Sequence, residues 1–588
     1  MKRLLRAAAP AALSVLALTA CVPWHPPAAG PTATSAPPPH PTTTTGVPEP
    51  TTSVPTTTTT PVPQPDWVAR AVGREGEVLF DDAAEEAALD RIVGDARLIM
   101  GGEASHGVSE FFTAKVQLAA DQLERGGLTD VFLEDPVPDT AAAARYVALG
   151  EGTAEDAARA FAFDWWRTRE FVDLLELLRA HNVEAERTGG EPAFFLGMDV
   201  QGSPGDFTSA LTGYLAVADP EEAERVGGQL ACFDSDEDAA GYLELPAEER
   251  AACRAALEGV RAGFAARAAE IADRPRVTAD VELHLAHAAA EALLWVEGST
   301  ALGEVGFSEG NDFRDRGMAA VTEAVFERDA DAKALVSLHD IHAGTFRGVP
   351  LPFDAGEEVT ITSTGAVLAD RLGDDAVATL GFTLGEGSFN AYDQQDPFNR
   401  ITEFPTGPPP AGSYEAEFEA DGPDAPAFVL PLDEGVESLA APRPARIAYT
   451  GGWDRETSDP VVTASLPELF DGVVHYREVT PSVLLDEQID PTITIDGAPA
   501  PITGGCGSPE AVEGTFDGGS FVVGFDTSDP DTARLTVTTA DGVVSTGTGP
   551  LVIVRGGYEI GADLTAPDGT TLRVDIASLF PAVPCEEG

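Results

Sequence analysis

The sequence predicts an α/β fold, a mostly parallel β-sheet with flanking helices, followed by a small all-β domain. Three observations predict it. From about residue 68, short runs rich in apolar residues alternate with amphipathic helical stretches joined by short turns. The runs are continuous rather than alternating in polarity, as suits strands that crossover helices cover on both faces. Beyond about residue 490 the helical periodicity stops, and pairs such as Ile493 with Ile495 and Leu535 with Val537 recur between Asp-Gly and Gly-Gly turns, the pattern of an antiparallel module.

At the start of the chain, Lys2, Arg3 and Arg6 precede the apolar run Ala11–Leu18, and the small Thr19 and Ala20 precede Cys21. That order is the order of a cleaved export signal, and the run is too short to span a hydrocarbon core of about 30 Å. Leu18-Thr19-Ala20-Cys21 is similar to a bacterial lipobox, which implies lipidation of the Cys21 thiol and makes residues 1–21 signal and lipobox. Residues 22–66 hold 14 Pro and 13 Thr and almost no large apolar side chain, so they cannot bury enough surface to offset the entropy of ordering. They read as a disordered stalk that holds the folded part away from a membrane.

In the large domain, residues 67–487, the candidate strands are Arg97–Met100, Asp130–Leu133, Ala193–Leu196, Ala334–Ser337, Val377–Phe382 and Gly472–Tyr476. Phe112, Val116, Ala119 and Leu123 repeat at helical spacing between the first two. Phe171, Leu174, Leu175 and Leu178 form a second stripe, and Met318, Val321 and Val325 a third. Residues 202–275 read as a helical cap or insertion, and residues 490–588 as the all-β domain.

Composition narrows the function. The formal net charge is −62, with 36 Lys and Arg spread along the chain, which argues against nucleic acid, since phosphate binding needs clustered cations. No second apolar stretch reaches membrane-spanning length, so membrane contact is expected through the lipid anchor, on the extracytoplasmic side. With Cys21 lipidated, sequence neighbourhood suggests disulfides Cys232 with Cys253 and Cys506 with Cys585, although connectivity does not follow from sequence.

The residues after each strand point to chemistry. Glu103, Ser105 and His106 follow the first, Glu134 and Asp135 the second, Asp199 and Gln201 the third, and His339, Asp340 and His342 the fourth. Glu386, Arg477 and Glu478 follow the later ones. Open parallel sheets bind ligands at the carboxyl ends of their strands, so these side chains should converge on one crevice. Carboxylates and imidazoles recurring after four successive strands fit an acid–base site better than ordinary turn chemistry.

The stretch Gly102-Glu-Ala-Ser-His-Gly-Val-Ser-Glu-Phe-Phe112 resembles the hallmark loop of erythromycin esterases. Val131–Glu134, Trp166–Glu170, Gly197–Gln201, Arg314–Arg316, Leu338–His342, Leu380–Phe389 and Phe470–Val474 follow in the order of that family's motifs, so the resemblance spans roughly residues 85–487. It implies hydrolysis of a small-molecule ester or lactone by water, with His106 as general base and with no cofactor, metal or covalent serine. On that reading Glu103 or Glu134 fixes the imidazole tautomer, while His339 polarises the carbonyl or protonates the leaving alkoxide. Arg167 and Arg314 stabilise oxyanion charge or anchor a carboxylate, and Asp199 and His342 complete the substrate side, unless His342 only orients its loop. Two residues depart from the family pattern. Ser109 stands where many members carry a basic residue, and Asp340 stands where an Asn usually separates the two later histidines, adding negative charge to an acidic crevice and raising histidine pKa values.

Three rival readings use the same residues. Glu103, His106, Glu134, His339 and His342 are also the ligand types of a metal or haem-type module, although the later histidines follow a strand rather than a His-Glu-x-x-His helix. A serine hydrolase would use Ser105, whose surroundings lack the first glycine of Gly-x-Ser-x-Gly. A non-catalytic envelope antigen would keep the fold alone. The C-terminal domain itself resembles the LpqH-type lipoprotein antigen, with a cysteine near each end, which implies a structural or adhesive role.

Overall fold

The computed structural model describes residues 65–579 apart from short internal stretches, of which 448–461 is the longest. The signal, nearly all of the stalk, Cys21 and Cys585 lie outside the described residues. Nine strands form the main sheet: Val72–Gly73 (β1), Leu98–Gly101 (β2), Asp130–Pro136 (β3), Phe194–Asp199 (β4), Ala334–Ser337 (β5), Val377–Tyr392 (β6), Ile401–Thr406 (β7), Ala427–Pro431 (β8) and Gly472–Val479 (β9). Their order is β1-β8-β9-β6-β2-β5-β3-β4, with β7 paired to β6. The run from β9 to β4 is parallel, whereas β1, β8 and β7 pair antiparallel. All six predicted strands lie in the parallel run.

Side chains alternate across each strand, and both faces are covered. Ile99, Val131 and Phe195 pack on one face with Phe112 of Ser109–Asp121 (α1) and with Phe171, Leu174, Leu175 and Leu178 of Arg169–Thr188 (α2). Leu98, Met100, Phe194, Leu196 and Met198 face the other way, toward a core shared with Pro204–Ala218 (α3), Pro220–Leu230 (α4), Ala247–Ala266 (α5), Thr278–Leu302 (α6) and Phe307–Phe326 (α7). Two apolar faces per strand are why these strands read as continuous apolar runs. Where it is described, the stretch 202–275 is helical, and Cys232 and Cys253 within it form a disulfide.

Two features of the sheet differ from expectation. β6 runs on past Phe382 to Tyr392, because its glycines permit close strand approach rather than ending it. Gly387 has φ 131°, and a Cβ there would collide with the Val479 carbonyl. β8 lies among Pro423, Pro426 and Pro431, which suppress a strand reading.

The C-terminal part is an antiparallel eight-stranded closed barrel, from Thr492–Ile495 to Thr571–Leu579, whose first strand pairs with its last. Ile493, Phe521, Val523, Leu535, Val537, Val574 and Ile576 fill its core, and closure leaves no free strand edge. Among the described residues no helix is long and apolar enough to cross a membrane.

Candidate active site

The chain leaves β2 in a short loop that carries Glu103 and His106 into α1. Glu103 is buried, with Oε1 2.5 Å from His106 Nδ1 and Oε2 accepting from Lys115 Nζ at 2.6 Å. Lys115 sits on the buried stripe of α1 between Phe111 and Leu118. With Nδ1–H donating to Glu103, Nε2 of His106 keeps its lone pair. The His106 side chain is 16% exposed while Glu103 and Lys115 are at 0% and 2%, so the imidazole is the member of this chain that meets solvent. Gly107 lets the loop close under the far end of β6: its φ is 76°, a Cβ would collide with the Asn390 carbonyl, and Asn390 N donates to its oxygen at 3.0 Å.

A second network joins the ends of β3, β4 and β5. Buried Glu134 accepts from the His339 backbone N–H at 2.7 Å and from Arg314 Nη2 at 2.7 Å. Arg314, projecting from α7, also donates to Asp199 (Nη2 at 2.7 Å, Nε at 3.1 Å) and lies 3.0 Å from His342 Nε2. His342 Nδ1 is 2.8 Å from Asp315, which Thr364 holds through its N–H and hydroxyl, each at 2.7 Å. Burial would lift the Glu134 pKa, but His342, Arg314 and His106 hold it well below the usual carboxylate range. For His342, burial pushes the pKa down, and Asp315 and Glu134 outweigh it and raise it. A guanidinium can only donate, so the Arg314 contact requires Nε2 as acceptor and places the His342 proton on Nδ1, toward Asp315. Protonating His342 would break that contact.

His339 caps the one-turn helix Asp340–Ala343, its Nδ1 accepting from Ile341 N at 3.3 Å. The ring is buried edge-on against His106 at 5.0 Å, and Nε2 has no partner. Burial, and the neighbouring His106, His342 and Lys115, keep its pKa well below the ordinary imidazole value despite Glu134. His339 is therefore neutral with its proton on Nε2, an uncommitted donor beside His106.

Of the predicted residues, His106, Glu103, Glu134, His339, Arg314, Asp199 and His342 come together. Arg167 is not part of this network. It pairs with Asp164 and donates to the Phe161 and Ala162 carbonyls, both at 2.9 Å, bracing the loop before α2. Arg477 pairs with Glu419. Glu103, rather than Glu134, takes the His106 Nδ1, and Arg314 spends its donors on Glu134, Asp199 and His342. The Asp340 carboxyl, expected to add negative charge to the crevice, is buried and accepts from the Phe382 N–H (3.2 Å), and burial raises its pKa well above the usual carboxylate range. Ser105 is buried and donates to the His106 carbonyl at 3.1 Å, while Ser109 donates to Glu170 at 2.6 Å. Sequence reasoning missed Lys115, although a lysine on an apolar helical stripe is itself a signal of a buried charge partner. Among the described residues no three His, Cys, Asp or Glu side chains are grouped to hold a metal ion.

The sequence profile named erythromycin esterase matches residues 123–479, more than half of the chain. The chain belongs to the erythromycin esterase family. Within this family match the β2–α1 loop is not covered, so the assignment of Glu103, His106 and Lys115 rests on the Gly102–Phe112 motif and on the geometry above. A Bacillus subtilis relative, "Putative hydrolase YbfO", is 26% identical over 136 residues, 23% of this chain and 29% of its own length, so the match spans under a third of that protein. Together the family and this relative support a hydrolase. A solved succinoglycan biosynthesis protein (20% identity, TM-score 0.57) and a Bacillus cereus protein (19%, 0.57) each align over 71% of this chain and 97% of their own. These two show the same fold. A mutant of the erythromycin esterase EreC in its open conformation aligns at 18% identity and TM-score 0.47, over 69% of this chain and 96% of its own.

Proposed function

We propose that this protein is a lipid-anchored, extracytoplasmic hydrolase that cleaves a carboxylic ester or lactone with water activated by His106. The observation that carries the reading is the chain Lys115–Glu103–His106, which fixes one imidazole tautomer and presents a basic nitrogen at the only exposed member. His106 Nε2 takes a proton from water as the water oxygen bonds to the carbonyl carbon. Glu103 balances the imidazolium, and Lys115 Nζ donates to its other oxygen within the buried setting. The Nε2–H of His339 donates to the oxygen on which negative charge develops. Collapse of the tetrahedral intermediate breaks the bond to the alkoxy oxygen, which takes the proton from His106, giving an acid and an alcohol, or a hydroxy acid from a lactone. Arg314, Asp199 and His342 hold Glu134 and the His339 turn in place. The C-terminal barrel is assigned a structural or adhesive role of the LpqH type.

Incubating the protein with a panel of esters and lactones should yield a product heavier by one water, seen by mass spectrometry. His106→Asn should lower that turnover by about 10²–10⁴-fold with an unchanged circular dichroism spectrum, and Ser105→Ala should stay close to wild type. Loss of turnover in Ser105→Ala alone would transfer the chemistry to the serine. Anchoring is tested separately: Cys21→Ser should leave the membrane fraction or accumulate as precursor, and detergent partitioning like wild type would refute the lipid anchor.

A further inference from the structure

We infer that Trp165 is a positioning residue for His106, fixing the plane of the imidazole and favouring its charged form during proton transfer; this rests on the reading of His106 as the base. The loop that carries Trp165 is pinned on several sides. Asp135 accepts from the N–H groups of Ala162 (3.0 Å) and Phe163 (3.2 Å). Arg167 ties down the carbonyls of Phe161 and Ala162, Trp166 Nε1 donates to the Glu134 carbonyl at 3.0 Å, and Asp164 N donates to the Tyr392 hydroxyl at 3.3 Å. Held this way, the Trp165 ring lies on the His106 ring with centroids 4.5 Å apart and planes 7° from parallel. Phe163 also stacks on the indole at 4.9 Å and 15°, and Tyr392 meets it edge-on at 4.9 Å.

Core packing alone does not call for parallel planes. The neighbouring pairs Trp166 with Phe171 and Phe112 with Phe171 cross at 70° and 69°. The stack does something specific for His106. That imidazole is fixed through Nδ1, and one hydrogen bond leaves a ring free to twist about it. Trp166 and His339 meet the imidazole edge-on, both at 5.0 Å, and among the described residues the indole of Trp165 is the one ring laid flat on its face. Together they remove that freedom and set the direction of the Nε2 lone pair. The indole also presents the electron-rich face of its π-system, which attracts an imidazolium more strongly than a neutral imidazole. The attraction therefore grows as the proton is taken up, which is the condition for speeding a step rather than only tightening binding.

Trp165→Leu and Trp165→Phe in the full chain test this, with ¹³C-labelled histidine and p-nitrophenyl acetate as the probe ester. In wild type the His106 Hε1 resonance, assigned by its loss in His106→Asn, should lie upfield through the indole ring current. Trp165→Leu should move it downfield and lower kcat by about three- to thirtyfold with KM little changed. Trp165→Phe, which keeps an aromatic face, should recover most of both. A His106 resonance unmoved by Trp165→Leu overturns the proposal whatever the activity. Wild-type kcat in Trp165→Leu, with His106→Asn inactive, overturns it while leaving His106 as the base, whereas wild-type kcat in His106→Asn removes the base reading and the proposal together.

Discussion

Glu103 and Glu134 both follow a strand of the parallel sheet, yet they do different work. Glu103 orients His106, and Glu134 ties the His339 turn to Arg314. The residue types and their places after strands were legible in the sequence, because a parallel sheet brings its strand ends to one rim. The partners of Glu134 were not, since they lie 205 and 180 positions away. Nor was the burial of Asp340 against the Phe382 N–H, which depends on packing rather than on residue type. The Glu134 pKa is lowered in the folded protein, so its ion pairing stabilises the fold above the ordinary carboxylate range and is lost as pH falls through that range toward the lowered native value. Glu134→Gln should therefore be less stable than wild type by urea denaturation at about pH 7, with a smaller difference at about pH 4. A difference that grows on acidification would contradict the charge network.

At the scale of elements, strands with two covered faces announced themselves as continuous apolar runs, and the stripes of α1 and α2 gave the helices. β8 stayed hidden among prolines, and the second half of β6 behind glycines that permit contact rather than turning the chain. Element α1 carries more than packing, because its stripe delivers Lys115 to Glu103 across 12 residues of sequence. Both charges are buried, so removing one strands the other. Lys115→Met should cost about 3–5 kcal/mol in urea denaturation, and Lys115→Met with Glu103→Gln should cost less than the sum of the single changes. Simple additivity would show that the pair is not coupled.

For the whole molecule, the texture change near residue 490 was legible because an antiparallel barrel alternates inner and outer residues where the large domain does not. The barrel closes on itself and has its own core, so the chain cut to residues 67–489 should keep its helical circular dichroism and any hydrolytic activity. Loss of both in well-expressed protein would show that the barrel completes the catalytic domain. The contacts of Glu134 with His339 and Arg314 across so much intervening chain also have a consequence in time. Helices such as α1 and α2 can form from local contacts within microseconds, whereas the site exists only once strands from distant stretches have found their neighbours. Catalytic competence should thus be among the last properties a refolding chain regains, and its return marks the end of assembly rather than the onset of structure.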